Sequence, residues 1–384
     1  MTIPSDATPA SCEEVLRRMV ACNTVNPRLG GPPEGQWHLV DLIEAWAGRW
    51  GLSARRFPVG RGEDNLLVFC EPSPSAPWLL FDSHLDTVAA EGMTVPPFEL
   101  EERGARLHGR GSCDTKGSGA AMLWALRDYA RASHRPNAVG ILFTADEEVR
   151  MTGARVFAAG PLGDYLPRLR GIVVGEPTAL HPVVATNGVV RWRTIARGVA
   201  AHSSNPALGR SAISAMVRVV EAFETRYVPA VTATHPMTGK AAASVNVITG
   251  GSQVNVIPDF CAIECDRRLV PGENAGQALA QRDAALAGCP EVEHDSLYAV
   301  PPLEEDSSRQ LFAWAQPHLR AAGTPSMPAG AAYVTNGSLY AAAGAQVLVL
   351  GPGHAAQAHT NDEWIARDDL QRAAEVYGRL MASA

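Results

Sequence analysis

Short apolar runs punctuate this chain, and most of them lead into a turn that carries acids or a histidine. Trp78–Phe81 runs into Asp82-Ser83-His84-Leu85-Asp86-Thr87, and Val139–Thr144 into Asp146-Glu147-Glu148. Gly171–Val174 runs into Gly175-Glu176-Pro177-Thr178, and Gln346–Leu350 into the loop that reaches Ala358-His359. Runs of this length and kind fit strands buried on both faces. Helical patterns lie between them, among them Gly117–Ala130, whose Gly119, Ala120, Ala121 and Ala125 allow close packing under a sheet. This alternation predicts an α/β fold: a mixed, mostly parallel sheet with helices on both faces. Strand ends are where such a sheet collects polar groups from distant parts of the chain.

The pattern does not hold throughout. With 384 residues the chain is too long for one ordinary core, so two domains are expected. From Val183 the segments read strand, helix, strand, strand, helix: Val189–Ala196, Ser211–Tyr227, Ala243–Ile248, Phe260–Leu269 and Asn274–Ala287. In the first of these helices Ile213, Met216, Val217, Val220 and Phe223 are expected to face inward. After Asp295 the α/β style returns, with a helix near Ser307–Leu319 and a closing helix from Asp368. The simplest organisation is a discontinuous domain, 1–182 with 295–384, into which a smaller α+β domain, 183–294, is inserted. At the start, Ser11 with Glu14 forms a capping box, and Trp37–Trp50 holds a second helix.

Charge and composition exclude several classes. A net charge of −7 gives no basic surface for nucleic acid. No apolar run approaches the roughly 20 residues of a membrane span. Met1–Asp6 lacks the basic and apolar segments of a secretory signal. The seven cysteines are odd in number and form no CxxC pair, which fits free thiols in a reducing cytoplasm. Cys113 lies beside Asp114, but a thiolate metal site wants more sulfur than this.

The acids and histidines are of the kinds that hold a divalent cation such as zinc. His84 and Asp86 stand two apart past a strand, a spacing that lets a carboxylate take the second ring N–H of a ligand histidine, so Asp86 reads as an orienting group. Asp114 sits in a glycine-rich turn that opens a helix, where it either caps the helix or bridges two ions. Glu147 and Glu148 are neighbours whose side chains diverge, so that one can bind metal while the other stays a general base. Glu176 is held in a Gly-Glu-Pro-Thr turn. The loop after Leu350 offers two histidines, His354 and His359.

Taken in order, these segments resemble the M20 family of metallopeptidases and amidohydrolases, and most of all its acetylornithine deacetylase and succinyl-diaminopimelate desuccinylase branch. The resemblance spans nearly the whole chain. It rests on Ser83-His84-Leu85-Asp86-Thr87-Val88, Gly109–Gly117, Asp146-Glu147-Glu148, Val174–Thr178, Ala201-His202-Ser203, Asn255–Pro258, Asp266-Arg267-Arg268 and Gly351-Pro352-Gly353 with Ala358-His359. It implies two zinc ions, with cobalt or manganese as substitutes: His84 and Glu176 on one, Glu148 and His359 on the other, and Asp114 on both. His359, not His354, occupies the family's Ala-His position. Glu147 is implied as general base, and His202 in the inserted lid domain as donor to the oxyanion of a partner subunit in a homodimer. Asn255 and Arg268 are implied as substrate contacts, Arg268 gripping a carboxylate. The implied substrate is a small N-acyl amino acid, with a dipeptide, a carboxypeptidase substrate or a succinylated diamino acid as alternatives, and a non-catalytic homologue as the remotest reading. Asn336 stands where relatives tend to carry an acid, which suggests a substrate contact suited to a neutral or broader range of side chains.

Overall fold

The computed structural model describes residues 8–60, 62–289 and 292–384, and the segment Met1–Asp6 read above for a leader lies outside them. The chain divides into two compact units. One holds the residues up to Val184 with Glu305–Ala329 and Thr335–Ala384; the other holds Ala185–Glu304 and Gly330–Val334. Along the first unit run α1 (Cys12–Ala21), α2 (Gly35–Arg49), β1 (Ser53–Gly60), β2 (Glu63–Cys70), β3 (Trp78–His84), α3 (Lys116–Arg131), β4 (Ala138–Thr144), α4 (Thr152–Ala159), β5 (Leu169–Val174) and β6 (Val183–Thr186). The second unit supplies β7 (Gly188–Arg197), β8 (Ala201–His202), α5 (Ala212–Ala222), β9 (Ala242–Gly250), β10 (Val256–Ile257), β11 (Phe260–Leu269), α6 (Ala275–Ala285) and β12 (Val292–Val300). The first then resumes with α7 (Arg309–Ala321), α8 (Gly337–Ala342), β13 (Val347–Val349) and α9 (Arg367–Met381).

Seven neighbouring strands of the eight-stranded main sheet run β1–β2–β4–β3–β5–β13–β6. Its centre is parallel: β4 with β3, β3 with β5, and β5 with β13. Its flanks are antiparallel, β1 with β2 and β2 with β4 on one side, β13 with β6 on the other. The four central strands therefore end at the same edge. Alternation along β3 sends successive side chains to opposite faces. Phe81 packs edge-on against Tyr377 of α9, while Asp82 meets the Tyr340 hydroxyl of α8. Gly175, just past β5, permits a close approach to α3, for a Cβ there would stand 2.7 Å from the Ser118 Cβ. At α1 the Ser11 hydroxyl accepts the Glu14 amide (3.1 Å) as the capping box predicts. The Glu14 carboxylate returns to the Ala10 amide at 2.7 Å, one residue before the N-cap.

In the second unit an antiparallel sheet, β9–β11–β7–β12, carries α5 and α6 on one face. Its core gathers Trp192, Met216, Val219, Phe223, Tyr227, Ile263 and Cys265. Two expectations need correction. Ile213 and Val217 point outward, 39% and 58% exposed, and the inward stripe of α5 is Ala212, Ala215, Met216, Val219 and Ala222. The buried stripe mixes Met216 and Val219 with three alanines. The boundary expected between 294 and 295 falls inside β12, whose residues pair with β7 along its length. That strand, Val-Glu-His-Asp-Ser-Leu-Tyr-Ala-Val, is polar over most of its first half, and only Leu297–Val300 is left to announce it. Trp192 is fully buried at the centre of this core. Trp192→Ala is expected to cost about 3–5 kcal/mol in the unfolding of this unit, read as a lowered urea midpoint by circular dichroism.

Candidate metal centre

The parallel block delivers most of the candidate residues to one edge. His84 is the last residue of β3, Glu147 and Glu148 follow β4, Glu176 follows β5, and His359 lies in the loop after β13. Asp114 comes from the turn before α3. Its two carboxylate oxygens face different imidazoles: Oδ1 is 3.0 Å from His84 Nε2, and Oδ2 is 3.2 Å from His359 Nε2. His359 Nε2 is also 3.2 Å from Glu148 Oε2. Donor atoms of His84, Asp114 and Glu148 lie within 4.8 Å of one another. His354, the rival in the same loop, is exposed, and its Nδ1 accepts the Ala356 amide (3.0 Å).

These groups sit in a strained electrostatic balance. Burial pushes the Glu147 carboxyl well above its ordinary value, and the charge of Glu176 adds to this. Burial also raises Glu176, with Asp114 as the next cause. Glu148 is raised by burial against the opposing bond from His359. Asp114 is held low, because the bonds from His359 and His84 overcome its burial. For His84, burial opposes protonation, but the bond to Asp114 and the nearby charge of Glu147 carry it well above normal. His359 is pushed up to about 11 by its bonds to Asp114 and Glu148. Protons thus take the position of a cation between carboxylates. Glu148 Oε1 is buried with no hydrogen-bond partner among the described residues. Imidazole nitrogen and carboxylate oxygen in this mixture suit zinc and its first-row neighbours, so the residues present fit divalent metal.

A further shell fixes the candidates. His84 Nδ1 donates to the main-chain carbonyl of Asp86 at 2.8 Å, while the Asp86 carboxylate stands off at 3.8 Å. The expected carboxylate–imidazole bond is therefore replaced by a carbonyl–imidazole bond. The Asp86 carboxylate instead accepts the main-chain amides of Glu147 (2.9 Å) and Glu148 (3.2 Å), and so fixes the turn that carries them. Glu363 received no role from the sequence. It is buried, and it accepts the amides of Gly111, Cys113 and Asp114 (3.0, 2.9 and 3.0 Å) and Arg110 Nη1 (2.8 Å). One carboxylate thus ties the His359 loop to the Asp114 turn. Cys113 keeps its proton, because burial pushes the thiol well up.

Asn336 requires a correction. It is fully buried, and its amide nitrogen donates to Asp82 Oδ1 (3.2 Å) and Thr144 Oγ1 (3.0 Å). It serves a core network beneath the sheet edge, enclosed where a substrate contact was expected of it. In the second unit His202 is exposed at the end of β8, and its Nδ1 accepts the Ser204 amide (3.1 Å). Asn255 is exposed beside β10, the strand that pairs with β8. Arg268 lies on β11, with Nε donating to Asp266 Oδ1 (2.7 Å).

Residues 80–383 match the model of peptidase family M20/M25/M40. The acetylornithine deacetylase of Edwardsiella ictaluri is 30% identical over 372 residues, 92% of each chain. Among solved structures, the M20 metallo-carboxypeptidase Sso-CP2 of Sulfolobus solfataricus superposes with a TM-score of 0.75 at 16% identity, covering 98% of this chain and 99% of that one. The YXEP protein of Bacillus subtilis, described as a dinuclear metal-binding M20 peptidase, superposes with a TM-score of 0.68 at 14% identity, covering 97% and 96%.

Without metal, His359 carries a proton at neutral pH, and a metal bound through Nε2 must displace it. Zinc affinity is therefore expected to fall as pH is lowered, roughly tenfold per unit for each proton displaced. Calorimetric titration in buffers of different ionisation enthalpy is expected to register proton release, and a pH-independent affinity with no release would contradict this balance.

Proposed function

Because the chain belongs to peptidase family M20/M25/M40, a family of hydrolases, we propose that it is a two-metal amidohydrolase that removes the acyl group from N-acyl amino acids. One observation carries this reading. Asp114 turns one oxygen to His84 and the other to His359, the disposition a carboxylate needs to bridge two ions. Beside it the Glu147 side chain makes no hydrogen bond to another described residue. His84 and Glu176 would hold one ion and Glu148 and His359 the other. When bound, two zinc ions, or cobalt or manganese in their place, would acidify a water and polarise the scissile carbonyl.

The chain's own residues do the rest. Glu147 takes the proton of the attacking water and returns it to the leaving amine. Burial supports the second transfer by raising the proton affinity of this carboxyl. In neutral His202, acceptance of the Ser204 amide at Nδ1 leaves the proton on Nε2, which makes that atom a donor suited to an oxyanion. Asp266 holds the Nε of both Arg268 and Arg191 at 2.7 Å, and the terminal amino groups of Arg268 are left to fork onto the substrate carboxylate. Asn255 adds a polar contact near His202. With Asn336 buried, the side chain of the amino acid is selected elsewhere.

We place a homodimer contact on the second unit. β9 is an edge strand with Val247 and Ile248 47% and 60% exposed, and the outward Ile213 and Val217 of α5 extend the apolar surface. His202 then acts in the site of the other copy.

Glu147→Ala is expected to retain two metals and lose about 10²–10⁴ in kcat, checked by metal analysis beside steady-state rates on N-acetyl amino acids. Undiminished turnover would refute the base assignment, and a preference for free dipeptides would move the substrate to the peptidase class. His202→Ala is expected to lower kcat with metal content unchanged. Mixing it with Glu147→Ala protein is expected to recover activity, and no recovery would confine His202 to its own subunit.

A further inference from the structure

We infer that Asn26 positions the turn carrying Glu147 and Glu148, a role that rests on the reaction proposed above. Asn26 reaches the site from a segment far away in sequence. Its amide donates to the Thr87 carbonyl (2.9 Å), and the Thr87 amide donates to that of Thr24 (3.0 Å), so the segment lies as a short parallel strand beside Asp86-Thr87. The side chain is fully buried and every polar atom on it is used. Oδ1 accepts the Arg28 amide (3.0 Å) and caps the turn of helix at Pro27–Leu29. The two hydrogens of Nδ2 go to different carboxylates: Asp86 Oδ2 at 2.8 Å and Asp146 Oδ1 at 2.9 Å.

Those two acids control the Asp146–Glu148 turn from both sides. Asp86 receives the main-chain amides of Glu147 and Glu148. Asp146 begins the turn with φ +59°, a left-handed conformation that costs a non-glycine residue about 1–2 kcal/mol. Its carboxylate is kept there by Asn26, by Arg28 Nη1 (2.7 Å) and by the Thr152 hydroxyl. Both carboxylates are wholly buried, so each needs its donors. A single nitrogen with two hydrogens joins them, and no other side chain of this size offers that. Aspartate would set a third carboxylate against two. Serine brings one hydrogen, and alanine none. Loosening this joint lets the Glu147 carboxyl drift from the water and Glu148 from its ion, without touching either.

The test separates this role from general stability and from the proposed reaction. In metal-free protein, hydrogen–deuterium exchange is followed for peptides covering 145–150 and 138–144 in wild type, Asn26→Ala and Asn26→Ser. Exchange at 145–150 is expected to quicken about tenfold in Asn26→Ala and less in Asn26→Ser, with 138–144 unchanged. At saturating zinc, kcat is expected to fall about 10–100-fold with KM held within about twofold, and chelator competition is expected to show weaker zinc binding. Unchanged exchange at 145–150, or equal acceleration across both peptides in both variants, overturns the inference. Should Asn26→Ala fail to fold, Asn26→Ser carries the same comparison. The exchange result needs neither metal nor substrate. An active Glu147→Ala enzyme would defeat the proposed chemistry while leaving the exchange result in place, and the converse outcome would remove Asn26 alone.

Discussion

Carboxylates crowded out of water at one edge of a sheet repel one another, and the surroundings of the site are built to contain that repulsion. Glu147, Glu148 and Glu176 reach this edge from the ends of the parallel strands β4 and β5, and Asp114 reaches it from the turn before α3. Burial makes their charge expensive. Two imidazoles relieve part of it by holding protons between oxygens, and divalent cations in the same positions would relieve more. The site is therefore a receptor for positive charge before any question of substrate arises.

Containment is achieved by buried carboxylates that stand behind these groups. The Asp86 carbonyl fixes the His84 ring, while the Asp86 carboxylate fixes the amides of the Glu147–Glu148 turn. Glu363 does the same for the Asp114 turn through three main-chain amides, with Arg110 offsetting its charge. In both cases a buried acid acts on backbone. Such contacts set where a ligand's Cα stands, and so where its donor atoms can reach.

Much of the sheet and the inner ring of the site was legible because each depends on a local signal. Apolar runs mark β3, β4, β5 and β13, and the acid or histidine that follows each marks the edge they share. Two strands escaped this reading: β1 is interrupted by Arg55-Arg56 and Pro58, and β12 is polar from Glu293 to Ser296 before its apolar end. Asn26 and Glu363 were equally silent. Their bonds to the site run to partners 60 to 253 positions away, and no spacing in the sequence expresses that. Asn336 misled for the related reason that position in a motif says nothing of depth: its bonds to Asp82 and Thr144, not the motif, hold it beneath the sheet edge.

The separation of Asn26 from Glu363 also bears on synthesis. The inserted unit is almost contiguous and closes its own core between residues 185 and 304. The acid-rich edge needs both an early segment and one of the last loops, so on the ribosome its charges stay uncompensated until nearly all of the chain has emerged. The order of assembly is thereby imposed by topology: the insert matures first, and the host unit completes itself around a gap in its own sequence.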